Sequence, residues 1–124
     1  MSKLKVFEYR NCGTCKNALK FLDRNKIGYE RIPIVSCPPT AAELETMLGH
    51  FKGDFRKLFN TSGQVYRDLG LSGKIQGMSE TEALRLLAGN GKLIKRPFVL
   101  AKRGGLIGFK ELEWKKFFAN GGVS

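Results

Sequence analysis

The feature that most constrains the fold is a pair of cysteines, Cys12 and Cys15, placed between two different apolar patterns. Before the pair, Lys3–Tyr9 is rich in residues that favour a β-strand. After it, apolar residues such as Ala18 and Leu22 recur at helical spacing. The pair therefore lies in a predicted strand-to-helix turn, where a Cys-x-x-Cys motif is a moderately specific sign of thiol chemistry.

The predicted order of elements is β-α-β, then short helices, then β-β-α. The segment "KIGYERIPI" predicts a second strand, and "PFVLAKRGGLIGF" predicts a hairpin with its turn around Gly104 and Gly105. Four large apolar residues lie on a final helix that frays at residues 120–124, and the aromatic ones are predicted to be core: Leu112, Trp114, Phe117 and Phe118.

Two helices of the middle block have capping signals. Thr40 with Glu43, and Ser79 with Glu82, match the capping box, in which the two side chains reciprocally bind free backbone N–H groups. All these elements fit one domain of residues 1–124, with a helical insertion at roughly residues 40–90. We therefore predict an α/β, thioredoxin-like fold with a mixed four-stranded sheet.

Composition narrows the kind of protein without identifying it. The 124-residue chain has no apolar run long enough to span a bilayer and no secretory signal pattern, so we expect a cytoplasmic protein without membrane association. Its three cysteines and single histidine do not make a typical zinc set, and we expect no metal. The net charge of +11 fits an anionic partner or a basic surface, and no nucleic-acid motif accompanies it.

The spacing of the cysteine pair suggests different roles for its members. Cys12 lies where the free N–H groups of a helix N-terminus favour a thiolate, Gly13 permits a close backbone approach, and Lys16 adds positive charge. Cys15 falls on the apolar side of the helix and should be less exposed. We expect Cys12 to attack and Cys15 to resolve the resulting mixed disulfide or sulfenic acid. The alternative is two thiols that merely pack.

A second site segment is "KRPF". In thioredoxin-like folds a cis proline at this point lies against the active cysteine, so we predict a cis bond between Arg96 and Pro97. Arg96 would then add a fixed positive charge near Cys12. The alternatives are a trans proline opening an edge strand and a solvated surface arginine.

Several segments together resemble the thioredoxin-fold arsenate reductase family, in the branch that contains the Spx-type regulators. They are "CGTCKNAL", "PPTAAEL", "FNTSGQVYRDLGL" and "LIKRPFVL", and the resemblance covers nearly the whole chain. It implies that Cys12 is the nucleophile and that Arg96 binds an oxyanion. The enzymes use two further arginines, whose positions here are Asn60 and the neighbourhood of Leu106. Removing them should cost much of the binding of arsenate.

The resemblance leaves two classes of function open. In the first, the protein is a thiol-disulfide oxidoreductase that binds no cofactor, acts on an oxyanion or a disulfide, and is recycled by glutathione, glutaredoxin or thioredoxin. Asn60 would line its anion site, although turn chemistry explains this residue equally well. In the second, the pair is the redox switch of a regulator that binds the RNA polymerase α subunit.

Cys37 is expected to be a small apolar residue before a turn rather than a second resolving thiol.

Overall fold

The computed structural model describes residues 4–119, which divide into two compact units. One unit contains the chain up to Pro33 together with the chain from Arg96 onward, and the other is Ile34–Lys95. The second unit contains the predicted helical insertion, with its boundaries a few residues outside 40 and 90. The assignment of the chain to one domain stays a prediction.

The first unit holds the sheet and the helices that follow the cysteine pair and the hairpin. Its elements are β1 (Leu4–Glu8), α1 (Gly13–Arg24), β2 (Tyr29–Pro33), β3 (Phe98–Ala101), β4 (Gly104–Ile107) and α5 (Glu111–Ala119). The spatial order of the strands is β2-β1-β3-β4. β1 pairs with β2 in parallel, and the other two pairs are antiparallel. The mixed four-stranded sheet is therefore confirmed.

One face of β1 forms the core of this unit with α1. Leu4 and Val6 point to the same face, because side chains alternate along a strand. They join a buried cluster contributed by α1, the hairpin and α5: Ala18, Phe21, Leu22, Val99, Leu106 and Trp114. The Trp114 indole N–H donates to the Gly108 carbonyl at 3.1 Å, so the buried ring leaves no unpaired donor.

The hairpin is present, but its predicted turn was wrong. The turn is made by Lys102 and Arg103, whereas Gly104 and Gly105 are the first residues of β4 and pair with β3. A Cβ atom on Gly104 would lie 2.8 Å from the Phe117 ring. This glycine therefore allows α5 to pack closely on the strand rather than closing the turn.

The apolar residues of the last helix divide between the core and the surface. Trp114 is fully buried, and Phe117 and Phe118 pack against the core cluster while remaining partly exposed. Leu112, in contrast, is 74% exposed, so it does not belong to the apolar side of the helix. The predicted fraying at residues 120–124 lies outside the described residues.

The second unit is a helical block. It contains α2 (Ala41–His50), α3 (Gln64–Asp68), α4 (Glu80–Gly89) and short 3₁₀ segments at Phe55–Leu58, Leu71–Gly73, Ile75–Gly77 and Gly91–Leu93. α2 packs on α4 through buried side chains that include Leu44, Met47 and Leu87. Within the described range 4–119, no helix is long and apolar enough to cross a membrane.

The two predicted capping boxes have different outcomes. At α2 both hydrogen bonds form: Glu43 N–H donates to the Thr40 hydroxyl at 3.1 Å, and Thr40 N–H donates to the Glu43 carboxylate at 2.9 Å. At α4 the Ser79 hydroxyl accepts from the Glu82 N–H at 3.1 Å, and this is a simple N-cap. A hydroxyl can cap a helix without the reciprocal bond, which also requires the glutamate rotamer to turn back.

Candidate functional site

Cys12 is the N-cap residue directly before α1, and its thiol caps the helix. Its backbone is extended, and its Sγ accepts the N–H of Cys15 at 3.4 Å. Its own N–H donates to the Tyr9 carbonyl at 3.1 Å, which holds the turn in place. The side chain is half-buried, so a substrate can reach the sulfur from solvent. A thiolate here satisfies an N–H group that the helix leaves unpaired.

Arg96 and Pro97 belong to the same unit as Cys12. The bond between them is cis, as predicted, and Pro97 is buried. The Arg96 guanidinium carbon lies 4.6 Å from the centroid of the Tyr9 ring, so the charge stacks on an aromatic face. The Arg96 guanidinium also lies near enough to the Cys12 sulfur to lower the pKa of that thiol. Its Nε atom is buried without a hydrogen-bond partner among the described residues.

The surroundings of Cys12 favour its thiolate. Partial burial alone would raise the pKa of Cys12. Hydrogen bonds from the backbone and side chain of Cys15, and then the hydrogen bond and charge of Arg96, outweigh this effect, so the pKa lies below its usual range. The first turn of α1 contains no acidic residue that would oppose the ionised sulfur.

Cys15 has the opposite character. It is 1% exposed, on the buried face of α1. Burial is the largest cause that raises its pKa, to about 12, and the neighbouring Cys12 and Glu8 raise it further, against a hydrogen bond from the Tyr9 backbone. The pair therefore consists of an accessible sulfur that ionises readily and a buried sulfur that retains its proton.

Two other predicted residues lie beside Cys12 on α1. Lys16 is exposed in the first turn, and its N–H donates to the Cys12 carbonyl at 3.1 Å. Gly13 is exposed, and a Cβ atom there would meet nothing within 4 Å. Within residues 4–119 no contact requires this glycine, so its predicted role in a close approach concerns an incoming group and stays a prediction.

The remaining candidates belong to other segments of the chain. Asn60 belongs to the Ile34–Lys95 unit, where its N–H donates to the Leu93 carbonyl at 2.7 Å, and its role in anion binding stays a prediction. Leu106 is a buried core residue of β4, so this position offers no charged side chain to bind an anion. Cys37 is exposed in a turn, which contradicts the expectation of an apolar packing role.

Sequence reasoning missed Tyr9, which contributes both a ring and a backbone to the site. The Arg96 guanidinium stacks on the Tyr9 ring, and the Tyr9 backbone hydrogen-bonds to both cysteines. In the sequence, Tyr9 could be recognised only as a β-forming aromatic residue at the end of the first predicted strand. Nothing in the local pattern connects it with Arg96, which is 87 residues away along the chain.

Comparison with known protein sequences places the site in a family context. The sequence profile described as the ArsC family matches residues 7–117. The uncharacterized protein YusI of Bacillus subtilis (strain 168) is 40% identical over 94% of this chain and 98% of that protein. The global transcriptional regulator Spx 2 of Bacillus anthracis is 28% identical over 90% of this chain and 84% of the regulator.

Solved structures agree with the sequence comparison. The structure of an ArsC-family-related protein from Bacteroides fragilis has a TM-score of 0.88 and 44% identity, covering 93% of this chain and 97% of that one. A protein of Streptococcus mutans UA159, described as a possible arsenate reductase, has a TM-score of 0.84 and 36% identity, covering 93% and 99%. With its thioredoxin-like fold and its cysteine at the start of α1, this chain belongs to the ArsC family and is related to both arsenate reductases and Spx regulators.

Proposed function

We propose that the protein is a small thiol-disulfide oxidoreductase with Cys12 as nucleophile and Cys15 as resolving thiol. The observation that carries this proposal is the opposite character of the two sulfurs. Cys12 is accessible and its pKa is lowered, whereas the buried Cys15 has a pKa of about 12. The thiolate is the attacking species in disulfide exchange, so this difference supports Cys12 as the residue of the first step.

The proposed reaction transfers two electrons from the protein to a disulfide. The Cys12 thiolate attacks one sulfur of the substrate, forming a mixed disulfide and releasing the other sulfur as a thiolate. Cys15 then loses its proton and attacks the Cys12 sulfur, which releases the second substrate thiolate and leaves a disulfide between Cys12 and Cys15. A thiol reductant such as glutathione, glutaredoxin or thioredoxin returns the pair to its reduced form.

The charges around Cys12 favour a substrate with an anionic group. Arg96 lowers the pKa of the Cys12 thiol, and Lys16 adds an exposed positive charge in the first turn of α1. Arsenate is a poor fit, because the resemblance implies three arginines around the oxyanion and two of their positions are Asn60 and the buried region of Leu106. We therefore propose anionic disulfides as the substrate class, with the protein acting in the cytoplasm.

The first test measures the rate of alkylation by iodoacetamide against pH. Because the exposed Cys37 would also react, the parent for this test carries Cys37→Ser. We expect one thiol to react with an apparent pKa below about 8.5, and Cys12→Ser to abolish this fast phase while Cys15→Ser retains it. A fast phase that survives Cys12→Ser, or an apparent pKa near 8.5, would overturn the proposal.

A regulatory role is the second candidate, and the similarity to Spx 2 over 84% of that regulator favours it. In this case the cysteine pair would be a redox switch, and the chain would bind the C-terminal domain of the RNA polymerase α subunit. The two candidates differ in a direct measurement. A regulator forms a stable complex with that purified domain, with an affinity that changes when the pair is oxidised. An oxidoreductase turns over a disulfide with a thiol reductant and shows no such complex.

A further inference from the structure

Glu8 is a buried carboxylate that the reaction described above does not use. It is the last residue of β1 and is 7% exposed, and among residues 4–119 it is the one charged side chain that is buried. Burying a carboxylate costs free energy unless it is well paired. Its recorded partner is Arg31 on β2, at 3.6 Å between Nε and the carboxylate, and Arg31 is itself 58% exposed. A single long contact to an exposed arginine does not explain why this position is a glutamate.

The pattern of β1 and α1 places Glu8 beside Cys15. Leu4, Val6 and Glu8 alternate onto one face of the strand. The first two pack against the buried face of α1 at Ala18 and its neighbours. Cys15 lies on that same face one turn nearer the start of α1, and Glu8 lies at the end of β1 from which the chain enters α1. The Glu8 carboxylate and the Cys15 thiol therefore lie at the same end of the interface between β1 and α1.

The charged and titratable groups around Glu8 come from the two neighbouring elements. α1 contributes Cys15, and β2 contributes Arg31 and the Tyr29 hydroxyl. Tyr29 donates a hydrogen bond to Asp23 at 2.9 Å, so its hydroxyl has another partner. Both Glu8 and the Cys12 thiolate favour a protonated Cys15.

The balance changes when Cys12 enters a mixed disulfide. Its sulfur becomes neutral and no longer attracts the Cys15 proton. Cys15 is buried and must nevertheless lose this proton before it can attack. Glu8 is then the anionic group that remains on this face.

We propose that Glu8 accepts the proton of Cys15 when Cys15 attacks the mixed disulfide. The proton moves to the Glu8 carboxylate, a bond forms between the two cysteine sulfurs, and the bond from Cys12 to the substrate breaks with release of the substrate thiolate. Glu8 later returns its proton to solvent. This inference rests on the proposed function, because it concerns the second step of the same reaction.

The test follows the release of thionitrobenzoate when reduced protein carrying Cys37→Ser reacts with 5,5′-dithiobis(2-nitrobenzoic acid). Attack by Cys12 releases the first equivalent, and attack by Cys15 on the mixed disulfide releases the second. We expect Glu8→Gln to leave the first rate unchanged and to slow the second about tenfold or more near pH 7. In this variant the second rate should rise with pH and approach that of the parent near about pH 10, because hydroxide replaces the missing acceptor.

The direction of the effect separates this role from simple electrostatics. Removing the charge of Glu8 lowers the pKa of Cys15, and this alone would speed the second step. A slower second step therefore reports the loss of a proton acceptor. Glu30→Gln is the matched control, because Glu30 is an exposed carboxylate on β2 that stands opposite Lys5 in the strand register. We expect both rates of this variant to match the parent.

Each other outcome has a definite meaning. A second step in Glu8→Gln that is faster than the parent, unchanged, or slowed by one constant factor at every pH would overturn the role of Glu8 while leaving the proposed function intact. If the parent releases one equivalent like Cys15→Ser, the proposed function itself fails. Should Glu8→Gln not fold, Glu8→Leu replaces the ion pair with an apolar side chain on an apolar face and must show the same pH slope.

Discussion

At the scale of single residues, the contrast between Cys12 and Cys15 comes from which side of one helical turn each sulfur occupies. Cys12 precedes the helix and its sulfur accepts a hydrogen bond from the Cys15 N–H, whereas the Cys15 side chain is buried. A separation of three residues is therefore enough to shift the pKa values of two identical side chains in opposite directions. Under the proposed function, this difference makes Cys12 the attacking sulfur and Cys15 the resolving one.

The contribution of Arg96 can be measured with one substitution. Arg96→Gln removes a hydrogen bond and a positive charge from the Cys12 sulfur, so the pKa of Cys12 should rise. We expect the alkylation rate near pH 6.5 to fall about tenfold, in keeping with the loss of one charge-assisted hydrogen bond. Arg10→Gln, at an exposed arginine, is the control and should change the rate little. Equal effects of the two substitutions would show that only general charge matters.

The thiols also predict how stability depends on pH under reducing conditions. The pKa of Cys15 is about 12 in the folded protein and about 8.5 in an unfolded chain. Between these values the unfolded chain releases the proton and the folded protein retains it, so the free energy of unfolding falls as pH rises, by about 1.4 kcal/mol per pH unit. Cys12 acts in the opposite direction below about pH 8.5, because its pKa is lowered by folding.

Cys15→Ala tests this dependence by urea unfolding. Relative to the parent, the variant should lose the fall in unfolding free energy between about pH 8.5 and pH 10, because it has no thiol to ionise at this position. The two proteins differ only at this residue, so the difference between their curves reports on Cys15. Parallel curves for the two proteins would contradict the burial of a neutral thiol.

At the scale of elements, side-chain caps fix where helices begin, and glycines stand where the chain packs closely on its neighbours. α1 begins with a thiol cap, and α2 begins with a complete capping box. In the second unit, Gly91 opens a 3₁₀ segment directly against the backbone of Ile34. A side chain at this glycine would overlap the Ile34 carbonyl oxygen, which cannot move without shifting the chain.

Gly91→Ala should therefore be strongly destabilising. The added Cβ atom would lie 1.9 Å from the Ile34 oxygen, so we expect the free energy of unfolding to fall by about 3 kcal/mol. Gly89→Ala, at the end of α4, is the matched control, because its Cβ atom would meet nothing within 4 Å. Its effect should stay within about 1 kcal/mol. Similar urea midpoints for the two variants would show that the backbone at Ile34 adapts.

At the scale of the whole molecule, the positive charge is concentrated in the unit that holds the cysteine pair. Residues 1–33 with 96–124 contain 14 lysines and arginines against 5 acidic residues. Residues 34–95 contain 8 against 6. The net charge of +11 is thus mainly a property of the thiol-bearing unit, where it attracts anionic molecules from solution.

This charge distribution predicts salt-sensitive reactivity of Cys12. The rate of its reaction with the dianionic 5,5′-dithiobis(2-nitrobenzoic acid) should fall several-fold between about 10 mM and 300 mM sodium chloride, because salt screens long-range attraction. The neutral 2-hydroxyethyl disulfide is the control, and its rate should change little. Equal salt effects on both reagents would exclude steering by the protein charge.

Much of this architecture follows from local sequence. The strand-to-helix turn at Cys12, the two strand segments of the hairpin and the capping box at Thr40 each depend on residues close together in the chain. Alternation along β1 and helical spacing along α1 also determined that Cys15 would be buried and Cys12 accessible. Such features are predictable because backbone geometry and side-chain periodicity are local properties.

Tertiary structure alone decided the features that join distant residues. Gly104 was predicted in a turn, yet it lies in β4 and pairs with β3. The Phe117 ring packs where a side chain at this position would lie. Tyr9 became part of the site because Arg96 stacks on its ring, and Glu8 is buried because α1 covers that face of β1. Packing sets these contacts, and packing depends on which residues the fold brings together rather than on which are neighbours in the chain.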